Sequence, residues 1–489
     1  MKRTLYLILT LTLAVAMLCA CSPSGSFPSV DEGILVVPDS DGNFQYEEIV
    51  ENGFISTTDQ TTSYFSLDRN TASYSLMRRQ INSGLTIAPG SVRLEEYVNY
   101  FNYDYIRPEN DALALSGSVF DCPWNSQNKL FTIGVAAEEI SFENAVQNNI
   151  VFLIDTSGSM YGSDRLGLIQ QSFTMLLEYL GDDDYISIVT YAGDSRVALD
   201  GARGTEKTQI ANVLQDLTAE GVTNGQGGIE KAYAEAEKYF VEGGNNRVIL
   251  ATDGDFNVGI RDKNQLKSFI SEKRNSGIYL SVLGVGMFNT NDTTMKTLAE
   301  NGNGNYAYLD SVAEARKVLV EEINGTFNVV AKDAKIGVEF NSEVVETFRL
   351  IGYESKMMSE EEFEDVNKDA GEIGSGHTVT AVYEIKLKEN ATGNIATAEV
   401  KYKHPETDES DSVSKTYTTD DYTQTPDEDS VFIGCVVEYG LLLRESQYKG
   451  DASFENVIQR LSALDCVQTD QFKAEFLQLV QKAEQLYSK

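Results

Sequence analysis

Two hydrophobic periodicities divide the chain. From Asn149 onward, short continuous apolar runs alternate with stretches of helical spacing. Ile150-Val151-Phe152-Leu153-Ile154 is apolar throughout, as a strand buried on both faces must be. Arg165–Leu180 follows with Leu166, Ile169, Phe173, Leu176 and Leu177 at helical intervals. The alternation predicts further strands over Tyr185–Tyr191, Arg196–Leu199, Arg247–Ala251, Ile278–Val285 and Tyr306–Leu309. Between and after them it predicts helices over Thr208–Leu217, Gly228–Phe240, Asn264–Lys273, Asp292–Glu300 and Val312–Ile323. Repeated strand–helix crossovers build an α/β doubly wound, mostly parallel sheet with helices on both faces.

Outside that segment the period is two. Ile336/Val338/Phe340, Val379/Ala381/Tyr383/Ile385 and Ala398/Val400/Tyr402 read as half-buried antiparallel strands, as do residues 114–146, where Cys122-Pro123-Trp124 marks a turn. The ends of a doubly wound domain lie close together. The two strand groups should therefore emerge side by side and form one antiparallel β-sandwich into which the α/β domain is inserted. Residues 61–110 read as helical, over Thr71–Ile81 and Ser91–Tyr103, with a dense aromatic set (Tyr64, Phe65, Tyr74, Tyr97, Tyr100, Phe101, Tyr103 and Tyr105) expected to be core. Acidic stretches at Glu360–Asp365, Glu406–Asp411 and Asp427–Asp429 read as solvated loops. Helices over Val431–Arg444, Ser453–Leu464 and Gln471–Tyr487 close the chain.

The N-terminus reads as a targeting segment. Lys2 and Arg3 precede an apolar run, Leu5–Leu18, too short and too terminal for an ordinary spanning helix. The run closes on Leu18-Cys19-Ala20-Cys21-Ser22, which resembles the bacterial lipobox, so Cys21 is expected to be the lipidated first residue of an exported, envelope-anchored protein. The plain alternative is a signal peptide with an incidental Cys21. The expected organisation is a lipoprotein signal over 1–20, a flexible tether over 21–60, a helical and β region over 61–146, the α/β domain over 147–325, the β-sandwich region over 326–430 and a helical region over 431–489.

Charge and composition narrow the chemistry. Among 489 residues, 39 Lys and Arg face 75 Asp and Glu, a net charge of −36. Removing residues 1–20 takes Lys2 and Arg3 and no acid, which leaves −38. Such a surface excludes general attraction to nucleic acid or anionic lipid, so membrane contact is expected through the lipid anchor only. The two histidines, His377 and His404, lie in no zinc-binding spacing, so metal ligands should be oxygens. Of the mature cysteines, Cys122, Cys435 and Cys466 are odd in number, and at least one thiol must be free or intermolecular. A Cys435–Cys466 bridge and a buried, unreactive Cys435 both remain open.

One constellation carries chemistry. Asp155-Thr156-Ser157-Gly158-Ser159-Met160 follows the first buried strand, where ligands bind in an open parallel sheet. The turn offers one carboxylate and two hydroxyls, with Gly158 letting the backbone fold tightly. Thr223 in Gly221-Val222-Thr223-Asn224-Gly225 and Asp253 in Thr252-Asp253-Gly254-Asp255 leave the same sheet edge and add two hard oxygens. This donor set suits Mg²⁺, with Mn²⁺ or Ca²⁺ as alternatives, and leaves a coordination position for an outside oxygen. Helix and turn capping is the bland use of the same Ser and Thr. Asp253-x-Asp255-x-Asn257 starts like an EF-hand, but Val258 stands where Gly is required and no terminal Glu follows.

With these residues in place, residues 147–325 resemble the von Willebrand factor type A domain, and Asp155, Ser157, Ser159, Thr223 and Asp253 match its metal-ion-dependent adhesion site. The resemblance implies direct coordination by the three hydroxyls, with Asp155 and Asp253 acting directly or through water. Gln226 departs from the small residue of many relatives. Tyr64–Tyr74, Glu95–Phe101, Gly243–Gly259 and Tyr439–Arg444 are similar to a bacterial lipoprotein family built around this domain, so the resemblance covers about residues 60–489. That family resemblance implies architecture and metal site but no partner; the function expected from the site is that of a non-enzymatic cell-surface protein that binds a protein partner through the metal, the partner supplying an Asp or Glu carboxylate. The alternatives are an envelope scaffold in which the metal only braces loops, a metal-assisted hydrolase for which no general base is visible, and an accessory subunit of an ATP-driven motor, opposed by the export signal.

Overall fold

A computed structural model describes residues 49–140, 146–222, 225–254, 263–286, 292–405 and 407–488. Cys21, Thr223 and the side chain of Gln226 lie outside the described residues. Four strands precede the central segment: β1 (Ile55–Ser56), β2 (Thr62–Ser66), β3 (Leu113–Asp121) and β4 (Lys129–Ala137). The central segment supplies β5 (Asn148–Asp155), β6 (Tyr185–Tyr191), β7 (Ser195–Arg203), β8 (Asn245–Thr252), β9 (Ile278–Gly284) and β10 (Tyr306–Tyr308). After it come β11 (Val329–Phe340), β12 (Val345–Ile351), β13 (Gly371–Gly374), β14 (Thr378–Leu387), β15 (Asn394–Lys403), β16 (Ser410–Thr418) and β17 (Tyr422–Thr423).

The central sheet has the order β10-β9-β8-β5-β6-β7, parallel except for the antiparallel edge strand β7. Side chains of β5 alternate between two cores. Ile150, Phe152 and Ile154 pack with the helices Leu166–Leu176 and Lys207–Gln215, while Val151 and Leu153 pack with Gly225–Lys238, Lys263–Asn275 and Asp292–Asn301. Both faces of the strand are thus covered, as its unbroken apolar run requires. The chain runs from β5 to β6 on one side and returns to β8 on the other, so the winding reverses at β5.

The flanking strands make one sandwich. Its first sheet runs β1-β12-β14-β4-β3-β17 and its second β13-β11-β15-β16, with β2 also paired to β11. β4, before the α/β domain, pairs antiparallel with β14, after it, from Ala136 opposite Thr378 to Lys129 opposite Ile385. Phe131, Ile336, Phe340, Phe348, Tyr383, Val400 and Tyr417 from both sheets share a single core. The α/β domain is therefore inserted in the sandwich.

Several elements differ from the sequence-based expectation. The tether expected over 21–60 ends earlier, because Ile55–Ser56 pairs with β12 and the Thr57 hydroxyl donates to Val345 O at 2.7 Å. Thr62–Ser66 is a strand within a region read as helical, and Ser91–Tyr103 contains only the short helix Leu94–Val98 after a 3₁₀ turn at Pro89–Ser91. The acidic stretch Glu360–Glu364 is one helical turn, closed by a capping box in which Ser359 and Glu362 exchange hydrogen bonds with each other's backbone. All three described cysteines are free, so Cys435 and Cys466 are not bridged. The helix Val312–Arg316 runs through a π-helical turn, Lys317–Glu321, into Ile323–Phe327.

Most of the aromatic set of the N-terminal region is core, while Tyr64 and Tyr105 are half-buried and Phe65 joins the sandwich core. Tyr74, Tyr97, Tyr100 and Phe101 are buried with Phe432, Tyr439 and Phe476 of the C-terminal helices. The Tyr74 and Tyr100 rings stack with centroids 3.9 Å apart. The helix Glu428–Leu443 is apolar around most of its circumference because it is the centre of this layer. Among the described residues, no helix is long and apolar enough to cross a membrane.

Candidate metal centre at the carboxyl edge of the parallel sheet

Asp155 ends β5 and Asp253 follows β8, its neighbour in the sheet; both are fully buried. After Asp155 the chain makes a tight turn into the 3₁₀ segment Gly158–Met160. The Ser157 amide donates to Asp155 Oδ1 at 2.9 Å, and the Thr252 hydroxyl donates to Asp155 Oδ2 at 3.0 Å. The Ser157 and Ser159 hydroxyls lie 3.0 Å apart. One carboxylate and two hydroxyls are thus gathered on one turn, with a second carboxylate at the next strand end.

The loop that carries Thr223 is held against this turn. Gly158 N donates to Gly221 O at 3.0 Å, and Glu220 N donates to Thr156 O at 2.7 Å. Gly158 has no positive φ; its value lies in close approach, since a Cβ there would come within 3.3 Å of Gly221 O. The helix Gly225–Lys238 that follows Thr223 sits directly on β6, where a Cβ at Gly228 would meet the Tyr191 side chain at 2.8 Å. Thr223 itself lies outside the described residues; Gly221, two residues before it, reaches the turn at Gly158.

The electrostatics fit a cation. Burial pushes the Asp155 carboxyl up to about 6; hydrogen bonds from Ser157 oppose this and the adjacent charge of Asp253 adds to it. Two neighbouring buried carboxylates are costly without a positive charge between them. The nearby donors are hydroxyl and carboxylate oxygens of Asp155, Ser157, Ser159 and Thr252. That is the ligand chemistry of a hard divalent ion and not of a thiophilic one.

Two rim residues carried no sequence signal. Tyr161 is 82% exposed and Val222 67% exposed, an aromatic and an aliphatic side chain on the two loops joined at Gly158 and Gly221. Exposed apolar residues beside a polar site are ordinary singly and informative together. Tyr161 lies two residues after Ser159 and Val222 lies next to Thr223, so the Gly158–Gly221 contact places both on the loops that carry the candidate ligands. Around them, Asp164, Asp194 and Glu220 expose carboxylates.

Three protein-family models match parts of the chain. Residues 149–326 match the von Willebrand factor type A domain model, 40–132 a second model described as von Willebrand factor, and 325–486 the model described as "Uncharacterized protein YfbK, C-terminal". The chain is 37% identical to protein YfbK of Escherichia coli (strain K12) over 470 residues, covering 91% of this chain and 81% of that protein. It is 26% identical to inter-alpha-trypsin inhibitor heavy chain H3 of Homo sapiens over 203 residues, which is 40% of this chain and 22% of that one. A solved von Willebrand factor type A structure from Catenulispora acidiphila is 14% identical, covers 76% of this chain and 89% of its own, and aligns with a TM-score of 0.45. By the extent and identity of the match to the Escherichia coli protein, and by the domain it contains, the chain belongs to the YfbK family of von Willebrand factor type A domain proteins.

Proposed function

We propose that this protein is a metal-dependent binding protein of the bacterial cell envelope, and that Asp155, Ser157, Ser159, Thr223 and Asp253 hold a divalent cation, Mg²⁺ first, at which a partner's Asp or Glu carboxylate docks. The observation that carries the reading is the convergence of the Asp155 carboxylate with the Ser157 and Ser159 hydroxyls beside the buried Asp253. Bound there, the cation supplies a positive charge and an open coordination position on a surface that is otherwise acidic.

The chain's own residues do the rest. Asp155 is oriented by the Thr252 hydroxyl and the Ser157 amide, so its carboxylate is fixed before any ligand arrives. Tyr161 and Val222 offer exposed apolar side chains on the loops that carry the ligands, while the exposed carboxylates of Asp194 and Glu220 disfavour acidic partners except where the cation compensates. Lipidation at Cys21 would tether the molecule to the envelope, in keeping with the expected export signal. Type A domains commonly bind protein partners, which supports the binding reading.

Two measurements test this. Isothermal titration with Mg²⁺ and Mn²⁺ should give one site in the wild type and none in Asp155→Ala. Capture of partners from a membrane extract should occur with Mg²⁺ and fail with chelator or with Asp155→Ala. Metal binding without any metal-dependent capture would favour the loop-bracing scaffold, and the absence of metal binding would remove the mechanism.

A further inference from the structure

We infer that Arg79, on the helix Ala72–Asn82 ahead of the inserted domain, is a positioning residue for the metal loop, holding residues Asp155–Arg165 in the form that presents their oxygens to the ion. The inference rests on the metal-site reading above and adds to it a control point outside the type A domain.

The contact runs through three steps. Arg79 Nη2 lies 2.5 Å from Asp164 Oδ2, so a helix of the flanking region reaches the loop that follows the Ser157 and Ser159 hydroxyls. The next residue, Arg165, donates from Nη1 to Ser159 O at 2.7 Å, which fixes the backbone of a proposed ligand. The aliphatic part of Arg165 lies on Gly286, at φ +81°, where a Cβ would come within 2.6 Å of Arg165 Nε. Gly286 O in turn accepts from the Tyr308 hydroxyl, and the Arg79 guanidinium lies 5.9 Å from the centroid of that Tyr308 ring. Arg79 thus touches both supports of the Arg165 side chain, the preceding carboxylate and the tyrosine beneath Gly286.

The helix that carries Arg79 does not float. The adjacent Arg78 is 2% exposed and is bound to Asp310 and Glu314, which flank the start of the helix Val312–Arg316. Arg78 therefore anchors the helix to the inserted domain at one point, and Arg79 acts at another, nearer the metal loop. Any partner or domain movement that shifts this helix would be felt at Ser159 through Asp164 and Arg165.

The sign of the expected effect separates positioning from simple electrostatics. Arg79 is a positive charge near a cation site, so by Coulomb's law its removal should strengthen metal binding. If Arg79 positions the loop, its removal should weaken binding instead. The ion pair is partly exposed, with side-chain exposures of 14% for Arg79 and 49% for Asp164, so a modest effect is expected.

The test is Mn²⁺ affinity of the full chain, read from the free-Mn²⁺ electron paramagnetic resonance signal, with melting temperature in chelator measured in parallel. Arg79→Ala and Arg79→Gln should each weaken Mn²⁺ binding about two- to fivefold, while the melting temperature in chelator stays close to wild type. Arg79→Lys should recover part of the loss, and Arg79→Asp combined with Asp164→Arg should bind more tightly than Arg79→Asp alone. Unchanged or tighter Mn²⁺ binding in Arg79→Ala would overturn the inference, as would a loss matched by an equal fall in the chelator melting temperature. Failure of the wild type to bind Mn²⁺, or equal binding by Asp155→Ala, would instead sink the metal-site reading itself and the inference with it.

Discussion

Arg78 closes a two-pronged ion pair on Asp310, with Nε 2.7 Å from Oδ2 and Nη2 2.6 Å from Oδ1. The same guanidinium reaches Glu314 at 2.8 Å, and the Tyr100 hydroxyl donates to that carboxylate at 2.7 Å. Glu314 is fully buried, so its charge has been taken out of water and depends on these donors. The network joins the N-terminal helix to the inserted domain. Arg78→Ala should destabilise the chain by about 3–5 kcal/mol because it leaves a buried carboxylate without its cation. Urea unfolding would measure this, and Arg78→Met combined with Glu314→Gln should recover a substantial part.

Metal binding to the folded state alone must raise stability. At a hundredfold excess over Kd, a single site contributes about 2.7 kcal/mol. The melting temperature should therefore rise when Mg²⁺ replaces chelator in the wild type and stay constant in Asp155→Ala. Equal shifts in both proteins would place the bound ion somewhere other than Asp155.

Tyr161 and Val222 should separate metal holding from partner recognition. Neither side chain is among the proposed ligands, yet both are exposed beside them. Tyr161→Ser and Val222→Ser should leave Mn²⁺ affinity unchanged and reduce metal-dependent capture several-fold. Added salt should weaken capture less than chelator does, because the docking charge is local and coordinated. A serine variant that captures as well as wild type would show that the rim takes no part.

His377 gives the pH dependence a sign. It is buried, and neither ring nitrogen has a hydrogen-bond partner among the described residues. Burial, reinforced by the charges of Arg69, Lys317 and Arg107 and opposed by Glu322, depresses its pKa from 6.5 to about 3. The unfolded chain takes up a proton near 6.5 and the folded chain does not, so this residue's contribution is present above 6.5 and is lost as pH falls toward 3. Between pH 6.5 and about pH 5 the wild type should lose about 1.5 kcal/mol that His377→Gln retains. Urea titrations of both proteins across that interval provide the check, and parallel slopes would contradict the assignment.

Much of the inserted domain was legible because its signal is local. Ile150–Ile154 could only be a strand covered on both faces, and a carboxylate with two hydroxyls at its end marked the ligand edge without further help. Elements that depend on distant partners were not legible. β12 escaped notice because Arg349 interrupts its apolar pattern, and that residue is tolerable only because Glu384 on β14 lies 2.8 Å away. β16 carries Ser410, Asp411, Ser412, Ser414 and Thr416, a polar edge strand recognisable only by its pairing with β15. Thr62–Ser66 looked helical from its aromatic neighbours, and its place beside β11 decides otherwise. In contrast, the Ser359–Glu362 capping box was readable and was passed over for its acidity. The contacts of Arg78 and Arg79 cross between regions far apart in sequence, where local pattern carries no information.

The pairing of β4 with β14 across the whole inserted domain also sets an order of assembly. β3 and β4 can form a hairpin as soon as they are made, but one edge of that hairpin is completed only when residues near Thr378–Leu387 arrive. All strands of the parallel sheet between them come from one continuous segment, so that sheet can form before β14 is reached. Its folding brings Ala137 and Val330 within reach of the same core, shortening the loop that the sandwich must close. Delivered N-terminus first, the chain therefore matures from the inside outward, and the host is assembled last around a guest already in place, with the open edge of β4 its most aggregation-prone surface meanwhile.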